Sequence, residues 1–418
     1  MNANTDELDL FLNQLSKDGV RDSEGFFTVA GDRALKKLAV HQLPREAAWV
    51  LKVVQAAVQA RASYIHVLQS RRSIQFQLHR AHFGSFRQMV EAWTQASGLA
   101  TPAQGDLAVA LRTVCFAAQR PAVLAHHDPE NGVSAVIWDG ESLSSIQSAS
   151  DLARGNIPIS WVPAGCWAVR VYAPSGQRLR ADEFEELNRY AITCPVPLEV
   201  DGRNLNHFGL NDVSRERASV MFSAQTVKKD DLPGRQGIRL PPNLGDGRRV
   251  TVAWVLYRDM KEQPSRISWV RGGVVVEEEE FHLHCDGLYF RVFVPAEGLE
   301  TDLTTLVPRF PRPESRREWT RLALSQVRDD LKLDQNLAQR IEEELASTVE
   351  RNWGTAGIAL LGGLLGIPFT KGGSVFLATA YLIQQDKVES RKAAHAGAAK
   401  LGQLVAALEA EIDRYSGS

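Results

Sequence analysis

The sequence predicts an α+β protein in which an α/β sandwich (residues 1–205) precedes an α+β middle domain (206–310) and a helical C-terminal module (311–418). Three observations predict this order. Between residues 43 and 78 the apolar spacing changes from helical to alternating, which indicates a helix followed by two strands. Strand patterns then dominate over residues 219–308, and charged helical patterns dominate the rest of the chain.

The helix in the first of these segments is predicted to begin at Pro44, whose fixed φ suits the first helical turn. Its apolar positions form one stripe at helical spacing: Val50, Val53, Val54, Ala57 and Val58. A second face has four other side chains: Lys52, Gln55, Ala56 and Gln59. Strands are predicted at 64–68 and 74–78, with a turn at 70–73 between them. We therefore expect one helix that packs on a sheet through its valine stripe.

This helix–turn–strand arrangement resembles the first nucleotide-binding motif of the GHKL superfamily, which includes HSP90, DNA gyrase B, MutL and histidine kinases. In that superfamily the helix has the pattern Glu-x-x-x-Asn, and the small-residue turn after it corresponds to residues 59–63 here. Residues 181–205, a charged helix and then a strand with an Asp-Gly turn, are similar to the end of the HSP90 ATPase domain. The resemblance implies an HSP90-like, Bergerat-type α/β sandwich for residues 1–205, and we expect an S5-like middle domain after it.

The residues that the superfamily uses for chemistry are replaced in this chain. The catalytic Glu falls on Lys52, and the magnesium-binding Asn falls on Ala56. An Asp-x-Gly-x-Gly motif expected near residues 79–84 is absent, and the Thr of a later Gly-Thr pair is Cys166, after Gly165. ATP hydrolysis needs a carboxylate to position water and an oxygen ligand for Mg²⁺. Lysine and alanine supply neither.

The resemblance implies six pocket positions: Lys52, Gln55, Ala56, Gln59, Gly165 and Cys166. It predicts an HSP90-like pseudo-ATPase with no catalytic residue and no cofactor, which acts as an interaction, scaffold or sensor protein. Two alternatives stay open: an active HSP90-like chaperone-type ATPase that binds ATP and Mg²⁺ through motifs aligned differently, and a membrane-acting effector. A simpler interpretation of the helix also stays open, in which Lys52, Gln55 and Gln59 are solvated.

The composition excludes several classes of protein. The chain has 418 residues, 44% of them hydrophobic, and a formal net charge of −2, so nucleic acid is not an expected partner. Its four cysteines are scattered without a CxxC pair, which is typical of a reducing compartment, and the acidic N-terminus lacks signal-peptide features. We therefore predict a cytoplasmic protein whose partner is another protein or a second copy of the chain.

Two clusters of side chains suggest metal sites, but neither has a complete ligand set. His282 and His284 point to the same face of a predicted strand, and no third ligand is evident in the sequence. The acidic run Glu277–Glu280 lacks the glycine spacing of a calcium loop. It is predicted to be a solvated edge strand whose charge prevents pairing with other chains. The sequence therefore predicts no metal site.

Residues 354–384 contain one charged residue and many small ones. Pro368 and the glycines at 372–373 divide this segment, so it is predicted to be a hairpin of two apolar helices. The charged helices predicted at 314–352 and 387–415 can cover the hairpin, which would then be buried. Membrane association through 354–384 is the alternative.

Leu361→Asp, with Leu364→Asp as a second variant, distinguishes these two environments. A charge inside a buried hairpin should destabilise the C-terminal module, because a carboxylate is costly to remove from water. Thermal melts measure this loss. Normal melting combined with loss of liposome flotation would contradict burial and identify a membrane-binding surface.

Overall fold

The computed structural model describes the chain over these ranges: 20–21, 27–28, 39–94, 100–146, 162–174, 181–206, 218–223, 252–259, 264–281, 283, 288–297, 299–301, 306–311, 313–333, 399 and 401–416. The predicted apolar hairpin at 354–384 and the pair His282 and His284 lie outside them. Within these ranges, no helix has both the length and the hydropathy that crossing a bilayer requires.

The first part of the chain forms a large, mainly antiparallel sheet. The strands of this part of the chain, in order, are β1 Val20–Arg21, β2 Phe27–Thr28, β3 Tyr64–Gln69, β4 Ser73–His79, β5 Ala122–Asp128, β6 Gly132–Trp138, β7 Leu143–Ile146, β8 Cys166–Tyr172, β9 Leu198–Val200 and β10 Arg203–Asn204. β1 pairs with β2, and the other eight form one sheet in the order β10–β9–β3–β4–β8–β5–β6–β7. In this sheet β3 and β9 are parallel, and the other neighbouring pairs are antiparallel. The strand pair predicted at 64–78 is confirmed.

Helices cover one face of this sheet. They are α1 Trp49–Gln59, α2 Phe86–Thr94, α3 Pro102–Arg112 and α4 Asp182–Tyr190. The structure begins α1 later than predicted, after a 3₁₀ turn at Glu46–Ala48. Arg45 is extended instead of helical, and its Nε lies 2.6 Å from Glu186 Oε1 on α4. Arg45 therefore forms an ion pair with α4 and is not part of the first turn of α1.

The predicted valine stripe forms the centre of the main core. Val50, Val53, Val54 and Ala57 are completely buried, and Val58 is partly buried. They pack with the inward-facing residues of the sheet: Ile65, Val67, Ile74, Phe76, Leu78, Trp167 and Val169. Trp49 and Phe76 meet edge to face, with ring centroids 5.6 Å apart. The burial of this apolar stripe provides the hydrophobic stabilisation that holds α1 against the sheet.

A second, five-stranded sheet follows. Its strands are β11 Ala218–Ser223, β12 Ala253–Asp259, β13 Ser265–Arg271, β14 Val274–Phe281 and β15 Leu288–Pro295. The order is β11–β12–β15–β13–β14, and a small pair, β16 Glu300–Thr301 and β17 Pro308–Arg309, lies beyond it. Two helices, α5 Pro313–Leu333 and α6 over residues 401–416, pack on this sheet through apolar residues such as Leu324, Val327, Leu404 and Leu408. The S5-like assignment and the domain boundaries stay predictions.

The acidic run Glu277–Glu280 lies on β14, which is an edge strand of its sheet. The predicted edge strand is confirmed, but the run is solvated only in part: the Glu280 side chain is 53% exposed, whereas the other three are 10–24% exposed. Glu278 is paired with arginines from three strands or helices, Arg189, Arg266 and Arg291. Glu277 and Glu279 both contact Arg316 of α5. Glu277, Glu278 and Glu279 are partly buried among arginines because α4 and α5 lie against this edge. No cluster of three or more metal-ligating side chains occurs among the described residues.

Glu278→Gln should therefore weaken the protein in a pH-dependent way. Burial raises the pKa of Glu278, but Arg291, Arg189 and Arg266 together outweigh this, so its pKa lies below its ordinary value of 4.5. A lowered folded-state pKa means that the carboxylate stabilises the fold above pH 4.5, and that this stability is lost as the pH falls through the folded-state pKa. We expect a loss of roughly 2 kcal/mol at pH 7 and a shallower decline in acid.

Urea unfolding between pH 3 and pH 7 measures this difference. Glu280→Gln is the matched control, because its side chain is 53% exposed whereas that of Glu278 is 10% exposed. Equal losses in the two variants would contradict the role of the buried network.

Candidate functional site

The second face of α1 is directed into the protein and not toward solvent. Lys52 is 1% exposed, and its Nζ lies 2.9 Å from Asp106 Oδ1. Gln55 is equally buried, whereas Gln59 is exposed at the end of the helix. The simpler interpretation, in which all three are solvated, is therefore wrong for Lys52 and Gln55. They are buried because α3 and the second sheet both contact this face.

Asp106 reaches Lys52 from near the start of α3. This helix begins after its N-cap, Thr101, and a capping box joins Thr101 to Gln104. Gln104 N donates to Thr101 Oγ1 at 3.3 Å, and Thr101 N donates to Gln104 Oε1 at 2.9 Å. Gln104 Nε2 also donates to the Phe83 carbonyl at 2.6 Å, which ties the start of α3 to the segment after β4. These bonds determine where Asp106 lies relative to α1.

Both oxygens of the Asp106 carboxylate are engaged by α1. Oδ1 accepts from Lys52, and Oδ2 accepts from Gln59 Nε2 at 2.7 Å. Lys52 and Gln59 are about two helical turns apart, so they reach the same side of α1. The Lys52 side chain is 2% exposed and that of Asp106 is 16% exposed. A buried charge of this kind depends strongly on its partner.

A cavity of about 310 Å³ lies beside this ion pair. Its apolar wall comes from α2, α3 and the residues before α3: Ala92, Ala100, Pro102, Gly105, Ala108 and Val109. Its polar lining consists of Lys52, Gln59, Asp106, Arg112, Arg271 and Thr301. Three of these side chains are basic and one is acidic, so the described lining is positively charged overall. The volume is at the lower end of the range for small-molecule sites.

The two arginines of the cavity come from different parts of the fold. Arg112 lies at the end of α3, where its Nε donates to the Trp93 carbonyl at 2.9 Å and its Nη2 donates to the Ala92 carbonyl. Burial lowers the pKa of this guanidinium. Arg271 lies at the end of β13, and its Nη1 donates to the Leu299 carbonyl at 2.6 Å. The helical layer and the second sheet therefore share the cavity.

Gln55 and Ala56 are not part of the described cavity lining. Gln55 Nε2 donates to the Arg271 carbonyl at 2.9 Å, so this side chain joins α1 to the second sheet. Ala56 is completely buried in the main core. Its methyl group offers no oxygen ligand for Mg²⁺.

Gly165 and Cys166 lie away from the cavity. Cys166 belongs to a small cluster on the sheet face opposite α1, with Val123, Ala125, Ala135, Val162 and Ala168. Its Sγ lies 3.1 Å from His79 Nδ1, and burial raises the pKa of the thiol to about 11. Gly165 N donates to the His127 carbonyl at 2.8 Å. Of the six predicted pocket positions, the structure brings Lys52 and Gln59 to one described cavity and holds the other four elsewhere.

The sequence does not predict three charged residues of the cavity: Asp106, Arg112 and Arg271. The first two lie on α3, where the sequence pattern contains no sign of a cavity. The Thr-Pro pair at 101–102, followed by Gln104, is a helix-start signal that would have placed the start at Pro102. No comparable local signal exists for Arg271, because it reaches the cavity through tertiary packing.

The chain was compared with protein-family models, with curated proteins and with solved structures. The sequence matches no protein-family model, and no curated protein matches it. Among solved structures, the Aquifex aeolicus MutL ATPase domain complexed with ADP is similar, with 11% identity and a TM-score of 0.30. The similarity covers 59% of this chain and 90% of that chain. MutL is one of the GHKL proteins, but we conclude nothing about the site or activity of this chain from a similarity of this size.

Asp106→Ala and Lys52→Met should destabilise the protein unequally. Without Asp106 a buried ammonium loses its carboxylate, so we expect the free energy of unfolding to fall by about 3 kcal/mol. Without the ammonium, the Asp106 carboxylate is 16% exposed and can gain water, so we expect a smaller loss, about 1–2 kcal/mol.

Urea unfolding followed by circular dichroism measures both losses. Arg87→Ala is the control, because it breaks an exposed ion pair with Glu91 and should change stability by less than about 0.5 kcal/mol. Equal losses for the two buried-pair variants, or the reverse order, would contradict the asymmetry in burial.

Proposed function

We propose that this protein is a catalytically inactive relative of the GHKL ATPases that works through protein contacts, as an interaction, scaffold or sensor protein. The observation that supports this most directly is the buried ion pair of Lys52 with Asp106. The sequence resemblance assigns the position of Lys52 to the catalytic Glu of the superfamily. A cation therefore occupies the position where an ATPase of this type needs a general base.

The chemistry of hydrolysis makes this substitution severe. ATP hydrolysis uses a group that positions or deprotonates water and a metal ion that neutralises phosphate charge. A charged ammonium only donates hydrogen bonds, so it cannot accept a proton from water. It also repels a divalent cation at short range. Ala56, at the position assigned to the magnesium-binding Asn, contributes only a buried methyl group.

An active ATPase with motifs aligned differently would depend on Asp106. This residue supplies the carboxylate of the described cavity lining. Its two oxygens already accept hydrogen bonds from Lys52 and Gln59. Releasing them for a water or a metal ion would leave the Lys52 ammonium buried without this partner, which is costly. The inactive assignment is therefore the better supported of the two.

Phosphate release from ATP in the presence of Mg²⁺ tests the proposal. We expect no turnover above background for the wild-type protein or for Asp106→Asn, because the carboxylate of the described cavity lining is already bound by Lys52 and Gln59. A calorimetric titration with ATP and Mg²⁺ reports separately whether nucleotide binds without being hydrolysed.

Turnover that Asp106→Asn abolishes, and that the surface variant Arg87→Ala retains, would overturn the inactive assignment. Sedimentation velocity of the wild-type protein tests the interaction role in its simplest form, by showing whether a second copy of the chain is a partner.

A further inference from the structure

The turn between β13 and β14 is made of two glycines, Gly272 and Gly273. Both have positive φ, +54° and +79°, which is the region that glycine adopts without strain. The strands pair directly up to this turn, with Arg271 opposite Val274. The local geometry explains why glycine suits a tight hairpin here, but it does not explain what the turn contacts.

The glycine backbone lies directly against the first part of the chain. A Cβ at Gly273 would lie 2.5 Å from Pro195 Cδ and 3.2 Å from Cys194 Cα. A Cβ at Gly272 would lie 3.1 Å from Gln55 Cγ on α1. Side chains at these two positions are thus excluded by close packing as well as by the turn.

Two hydrogen bonds and an ion pair also join this hairpin to the first part of the chain. Thr193 Oγ1 donates to the Gly273 carbonyl at 3.0 Å, in a buried setting. Gln55 Nε2 donates to the Arg271 carbonyl at 2.9 Å. Further along β14, Glu278 pairs with Arg189 of α4 at 3.0 Å. The buried Thr193 bond is the most expensive of the three to break without replacement.

Apolar packing continues the contact. Val274, the first residue of β14, is completely buried in the main core. Val276 packs against both the main core and the core of the second sheet. A single strand therefore contributes to two cores.

We infer that residues 271–274, the clasp, couple the two sheets into one unit and close the described cavity on the side of the second sheet. With the clasp docked, Arg271 is held in the lining of the cavity that Lys52 and Asp106 also line. Release of the clasp would withdraw Arg271 and open the cavity. It would also expose the segment 193–195, which contacts the turn.

The clasp connects the cavity to the C-terminal helices through β14. β14 begins in the clasp, and its residues Glu277 and Glu279 pair with Arg316 of α5. Tyr415, in the last helix, also donates to Glu279 at 3.2 Å. Anything that moves the clasp therefore acts on a strand that α5 and α6 contact directly. This coupling is independent of whether the protein binds nucleotide.

Gly273→Val tests the clasp, with Gly202→Val as the matched control. Gly202 has the same φ, +79°, in another hairpin, but a Cβ there meets nothing within 4 Å. Both variants strain a turn, and only the first blocks docking. The readout is alkylation of Cys194, which is completely buried next to the turn, resolved by mass spectrometry on the full chain. Cys115, buried in the main core away from the turn, is the internal reference.

We expect Cys194 of Gly273→Val to react at least about tenfold faster than in the wild-type protein, because local opening exposes it. Cys115 should be unchanged, and Gly202→Val should match the wild-type protein at both positions. Unchanged protection of Cys194 in a folded Gly273→Val protein would overturn the inference, as would equal acceleration in both variants.

Thr193→Val keeps the test decisive if Gly273→Val does not fold. This variant removes the bond to the Gly273 carbonyl without adding bulk, and we expect Cys194 to react about threefold faster. A Thr193→Val protein whose Cys194 stays as protected as in the wild-type protein would also overturn the inference.

Discussion

The fold depends on a helix that has almost no face left for solvent. α1 buries its valine stripe on the large sheet, its Lys52 side against α3 and its Gln55 side against the second sheet. Each direction imposes a different requirement: apolar contact toward the sheet, a counter-charge toward α3 and a backbone carbonyl toward the clasp. The positions of α3 and of β13–β14 follow from these requirements.

The charge of Lys52 makes the strictest of these demands. A hydrophobic residue at this position would pack without any specific partner, whereas an ammonium needs an oxygen within hydrogen-bonding distance. Asp106 satisfies that need only because the Thr101–Gln104 capping box holds the start of α3 where it does. The capping box is a local interaction, but it thereby determines which residues line the cavity.

Local patterns are sufficient to predict α1 and the strand pair that follows it. Alternation predicts β3 and β4, and helical spacing predicts which valines of α1 are buried. Contacts between distant segments were not predictable in this way. The partner of Lys52 lies 54 residues away, and the arginines that pair with Glu277–Glu280 come from other strands and helices. The burial of a charged residue depends on such partners. The sequence therefore leaves open whether Lys52 is a pocket residue or a solvated one, and it predicts a solvated acidic run.

Two core residues that lie far along the chain also have a consequence for how the protein acquires its structure during synthesis. Val274 and Leu306 are members of the core that α1 and the large sheet enclose. When residue 205 leaves the ribosome, that core still lacks two of its members. N-terminal segments generally fold as they emerge, but here completion of the first core must wait for roughly a hundred further residues. Until then the apolar surface beneath α1 is unfinished, and the nascent chain is at its most susceptible to chaperone capture and aggregation.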